Sequence, residues 1–190
     1  DDALAPLMLG NLYYDKRQYD LAVEAWERSA RLNPGSPMVW RNLALAYYNK
    51  LDRHDEALEL MKRAFLLDTT DSRIFMELVQ LLKRMEADAP ARLELMKRHD
   101  DLVEVRDDLV LEKATALNLT GAYADAVDVI DNRIFHPWEG GEGKVSGQYQ
   151  FARVELAKQA LAKGDNAEAI RLLEECLVYP HNLGEGKLEG

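Results

Sequence analysis

Cysteine is nearly missing. Cys176 is alone among 190 residues, which excludes an internal disulfide and any cysteine-built metal cluster. It lies in LLEECLVY on an apolar face, the setting of a buried thiol rather than a nucleophile. Positive charge is scarce too. Lysine and arginine number 24 against 34 acids, for a net charge of −10, and no basic run exceeds two residues. That balance argues against nucleic acid, whose binding is driven by clustered cations that release counterions. No stretch approaches the roughly 20 apolar residues of a membrane span, so no membrane partner is expected. Six prolines and eleven glycines leave few breaks in regular structure. The chain shows no signal peptide, starts Asp-Asp and stops inside GEGKLEG, and so reads as a piece of a longer cytoplasmic protein. No GxSxG, HExxH or Cys/His spacing occurs. Neither catalysis nor a cofactor is expected of this chain.

What is abundant is a repeating apolar pattern. A first unit carries Leu9-Gly10, Tyr13, Ala22, Trp26 and Pro34; a second carries Trp40, Leu43-Ala44, Tyr47, Ala57, Met61 and Ala64. Small residues such as Gly10, Ala22 and Ala44 allow close approach of helix backbones, and the larger ones fill the gaps between turns. Asn33-Pro34-Gly35 and Asp68-Thr69-Thr70-Asp71 stop one helix and start the next. This pattern resembles the tetratricopeptide repeat, W-x2-L-G-x2-Y followed by A-x3-F and P. Three less regular units follow, marked by Phe75, Leu78 and Leu82, by Ala114, Leu117 and Gly121, and by Ala157, Ala160 and Gly164. The expectation is an all-α, right-handed superhelix of about five helix-turn-helix repeats, ten helices in all. They form a single solenoid with repeats at about 3–36, 37–71, 72–106, 107–149 and 150–190. No unit buries its apolar stripe alone, so stacking is obligatory.

The last two units align without a gap. GAYADAVDVIDNRIFHPWEGGEGKV pairs with GDNAEAIRLLEECLVYPHNLGEGKL at an offset of 43 residues, longer than the usual 34. The excess falls in the connection after the second helix. With RDDLVLE, these segments resemble the C-terminal repeat region of large bacterial proteins carrying the DUF5107 domain. That resemblance covers about residues 100–190. It implies a neighbouring β-rich, carbohydrate-related part outside this chain and carries no catalytic residue onto it.

Two surfaces attract attention. The repeated GEGK loops are no P-loop, because Trp138 and His181 hold the first glycine's place and Val145 and Leu188 follow the lysines. Glu142 and Glu185 could cap helix starts, or Trp138, Glu142, Lys144, His181, Glu185 and Lys187 could contact a partner; both readings stand. His136, His181, Glu142 and Glu185 lack the short spacing of a metal-ligand pair, and no metal is expected. The second surface is the groove, with Asn11, Tyr14, Arg41, Tyr48, Gln80, Lys83, Arg84 and Asn118 facing inward. Arg41, Lys83 and Arg84 would make a basic strip suited to an acidic peptide, against the plainer reading of a solvated face. Asn11, Asn42 and Arg73 match part of the family's carboxylate clamp, but Leu7 and Glu77 stand where it needs cations. The function expected is a non-catalytic interaction scaffold for a protein, a peptide or another domain of the same polypeptide. The alternative is that the GEGK loops border a carbohydrate active site.

Overall fold

The computed structural model describes residues 2–184. Their regular structure consists of eleven α-helices and one 3-10 turn. They fall in two compact units, Asp1–Ala87 and Asp88–Gly190.

The first unit contains α1 (Leu4–Asp15), α2 (Tyr19–Leu32), α3 (Pro37–Lys50), α4 (His54–Leu67) and α5 (Ser72–Arg84). Each of α1 to α4 pairs with its partner, α2 also packs on α3, and α4 packs on α5. The sequence explains the pairing. On α2 the buried residues Ala22, Val23, Ala25, Trp26, Ser29 and Ala30 form one stripe at helical spacing. On α3 the matching stripe is Val39, Leu43, Ala44, Ala46 and Tyr47. The expected stops are present: Asp71 accepts from Arg73 N at 2.8 Å and Ile74 N at 3.1 Å to cap α5. Asp68 holds the Thr70 amide at 3.0 Å just before it.

The second unit contains α6 (Ala89–Arg98), α7 (Asp100–Glu104), α8 (Asp107–Leu119), α9 (Tyr123–Asp131), α10 (Lys144–Ala162) and α11 (Asn166–Glu175). A 3-10 turn, His181–Leu183, follows. The helix beyond the ten expected is α7. His99, at φ −124° and ψ 43°, breaks α6, and the single turn after it tucks Leu102 and Val103 inward against α8.

One backbone device marks all five first helices. A left-handed residue ends each: Arg17, Asp52, Glu86, Gly121 and Gly164. The amide after it reaches back to the last turn, as in Gln18 N to Tyr13 O at 2.9 Å and Ala122 N to Leu117 O at 2.9 Å. This is the Schellman closure, which satisfies carbonyls the helix leaves open. Glycine supplies it without a Cβ penalty only in the last two cases.

The connections differ sharply. Residues 33–36 and 68–71 suffice in the first unit, whereas α9 ends early and residues 132–143 lead to α10.

Candidate functional site

The long connection is built against the next one. Phe135 N donates to Asn182 O at 2.7 Å, and Asn182 Nδ2 donates to Ile130 O and Arg133 O, both at 3.0 Å. Phe135 and Leu183 are both buried. Gly184 is left-handed (φ +68°), and a Cβ there would lie 2.4 Å from Phe135 O. Glycine is therefore required at this crossing on two counts, conformation and space.

The same pair of contacts fixes each connection to the first helix of its own repeat. Asp107, at the start of α8, accepts from Arg133 Nε at 2.8 Å and from the His136 amide at 2.8 Å, and meets His136 Nδ1 at 3.0 Å. Forty-three residues on in each case, Gln150 of α10 donates to Cys176 O at 3.1 Å and Tyr179 Oη at 3.2 Å. A charged clasp in one repeat is thus a neutral clasp in the next. Burial pushes the Asp107 carboxyl up, but the His136 amide and the Arg133 guanidinium outweigh it and hold the group below the usual carboxylate range.

Between the two connections lies a cavity of about 640 Å³, within the range of ligand pockets. Trp138 and His136 come from the first connection, Tyr179 and Leu183 from the second, and Ser146, Gly147 and Gln150 from α10. Trp138 folds back over Gly141, where a Cβ would sit 2.4 Å from its ring; it does not stand free. Glu142 lines the cavity, whereas Lys144 begins α10 and His181 is exposed, and neither lines it. Glu185 and Lys187 lie outside the described residues. The N-cap of α10 is Gly143, left-handed at φ +72°.

The groove candidates of the first unit form a different pattern. Trp26 Nε1 and Asn42 Nδ2 both donate to Asn11 Oδ1, at 3.0 and 3.1 Å. Arg41 Nη1 reaches Asn42 Oδ1 at 3.3 Å, and its Nε donates to Glu77 Oε2 at 2.5 Å. A polar ladder therefore ties α1, α3 and α5 together, and Arg41 carries a matched charge. Arg84 and Lys83 are exposed, with Arg84 5.8 Å from the Tyr48 ring centre. Tyr48, Gln80 and Arg84 share a small cleft, and Tyr14 stacks on Trp26 with ring centres 5.5 Å apart. In the second unit Asn118 is buried, and its Nδ2 donates to Gln148 Oε1 at 2.9 Å. Cys176 is half-buried, and burial pushes its thiol up, away from the thiolate a nucleophile needs. Among the described residues no group of three or more His, Cys, Asp or Glu could hold a metal ion. No described helix is long and apolar enough to cross a membrane.

Sequence reading found Trp138 and Glu142 through the duplicated GEGK. It missed Tyr179, Gln150 and Asn182, although the offset of 43 already aligned Tyr179 with His136; Gln150 and Asp107 stand at the same offset but outside the aligned segments.

Comparison with known proteins bears on the fold. Residues 7–66 match the family model described as tetratricopeptide repeat. Across most of the chain, solved structures share the helix arrangement. The fold is tetratricopeptide. One such structure is MamA, 17% identical with a TM-score of 0.63, covering 92% of this chain and 90% of that one. Another is YrrB, described as a tetratricopeptide protein with an unusual peptide-binding site, 16% identical with a TM-score of 0.64, covering 93% and 85%. Among curated proteins, the peroxisomal targeting signal receptor of Saccharomyces cerevisiae is 33% identical over 61 residues, 32% of this chain. The match spans only 10% of that receptor.

Proposed function

We propose that this tetratricopeptide array is a non-catalytic interaction scaffold that docks a protein, or another domain of its own polypeptide, on the edge made by its two long connections. The observation that carries this reading is the nesting of those connections. Phe135, Asn182 and Gly184 fix one against the other, and the result encloses Trp138 and Tyr179 in a cavity. A helical repeat needs no such extension to stack, since residues 33–36 and 68–71 turn the chain with far less. Half-buried aromatic rings on rigid backbone are the usual anchors of protein interfaces. The resemblance of residues 100–190 to DUF5107-type repeats supports a β-rich neighbour as the docked domain. The same rings would also suit a sugar, as the alternative reading has it.

The groove is the second proposal, as a site for an acidic peptide near Arg84, Tyr48 and Lys83. Arg41, already matched by Glu77, contributes less to it than Arg84.

One experiment separates the two surfaces. A photo-crosslinking aromatic residue is placed at Trp138, at Tyr48 or at the exposed control Leu66, in cells making the natural polypeptide. The docking reading expects a discrete adduct from position 138 that maps to a single protein segment, with none from 66. An adduct from 48 alone would transfer the function to the groove. Equal, diffuse labelling from 138 and 66 would contradict docking at the edge.

A further inference from the structure

Resting on that docking reading, we infer that the cavity between the connections receives a basic side chain, arginine or lysine, of a bound peptide segment. Two aromatic faces, Trp138 and Tyr179, line it, and a cation over such faces is attracted by the ring quadrupole. Glu139 and Glu142 also line it, both exposed, and neither has a cationic partner among the described residues. The contrast with the cavity between α2 and α4 is informative. There Glu27, Glu56 and Glu59 are matched by Arg31, Arg53 and Lys62, and the Trp40 face already carries Arg63 at 3.8 Å; Asp55 is the remaining acid of that lining.

The inner wall supplies the remaining recognition. Gln150 donates its Nε2 to Cys176 O and Tyr179 Oη, which turns its Oε1 into an acceptor with no donor among the described residues. Added Cβ atoms at Gly143 and Gly147 would meet nothing within 4 Å. Open space therefore lies beside both glycines, and an aliphatic stem can occupy it. The first turn of α10 opposes a cation with about half a positive charge, against two full negative charges on the rim. An acidic chain of net charge −10 also favours a basic partner over long range.

The test uses the three tryptophans labelled as 5-fluorotryptophan and read by fluorine NMR, with the 138 line assigned from Trp138→Phe. Probes are acetyl-Gly-X-Gly-amide with X arginine, lysine, citrulline or norleucine, and methyl β-glucoside. Arginine and lysine probes are expected to move the Trp138 line alone, with half-saturation in the millimolar range (about 1–10 mM). Glu139→Gln with Glu142→Gln should weaken this about 3- to 10-fold, while unmoved Trp26 and Trp40 lines certify the fold. Citrulline or norleucine matching arginine overturns the inference. So does a response to the glucoside alone, which favours a sugar, or no response to any probe. A photo-adduct at 138 mapping to a segment without basic residues would overturn it and leave docking intact.

Discussion

Gly10→Ala should destabilise the first unit by about 1–3 kcal/mol. The new Cβ would stand 2.4 Å from Cδ1 and Nε1 of Trp26 and 2.9 Å from Cγ, far inside contact distance. The ring cannot step aside cheaply. It is 3% exposed, its Nε1 donates to Asn11, and Tyr14 stacks on it. Moving it breaks the polar ladder at its first rung. The measurement is denaturant unfolding monitored in the first unit, and the control is Gly10→Ala in a Trp26→Leu background, where the clash is gone. Contacting residues couple, so alanine should cost much less there, because it then carries only its favourable helix propensity. Equal costs in both backgrounds would show that Gly10 serves something other than the close approach of α1 and α2.

Replacing Arg153 by methionine should cost about 2–4 kcal/mol in the second unit. Arg153 leaves α10 with its side chain 5% exposed and joins two other helices at their C-terminal ends. Nη2 reaches Asp131 of α9 at 2.6 Å and Nε reaches Glu175 of α11 at 3.0 Å. The guanidinium also lies 3.7 Å from the Tyr149 ring centre. Methionine fills the volume but leaves the Asp131 carboxylate without its cation and Glu175 with Arg171 alone. Breaking a buried pair costs about 3–5 kcal/mol; Asp131 and Glu175 keep some solvent (41% and 35% exposed), which lowers the figure. The triple change Arg153→Met, Asp131→Asn and Glu175→Gln should recover most of the loss. Thermal unfolding of the three forms decides this. A triple variant no better than Arg153→Met would assign the loss to packing on Tyr149 instead of charge.

The helix pairs were legible because their determinants are local. Gly10, Ala22 and Trp26 stand at fixed spacing, Asp71 caps the helix it precedes, and Gly121 and Gly164 mark left-handed turns. Arg17, Asp52 and Glu86 adopt the same left-handed conformation without any residue type to announce it. Nor could spacing reveal that Arg41 finds Glu77, 36 positions away, so the groove looked more basic than it is. The duplicated loops showed the edge but not its construction. Asn182 reaches back 52 residues to Ile130 O, and only the folded chain brings those atoms together. The short α7 arose from a break at His99 that no proline or glycine signals.

Hydrogen exchange tests the central claim, that the two long connections form one built edge. If they nest, the Phe135 amide is slow to exchange, since it donates to Asn182 O at 2.7 Å inside a buried crossing. Asn182→Ala removes the two bonds to Ile130 O and Arg133 O. It should speed exchange over residues 133–136 at least ~10-fold while α8 and α10 keep their protection. Phe135 exchanging in the wild-type chain at the rate of an unstructured peptide would contradict the account.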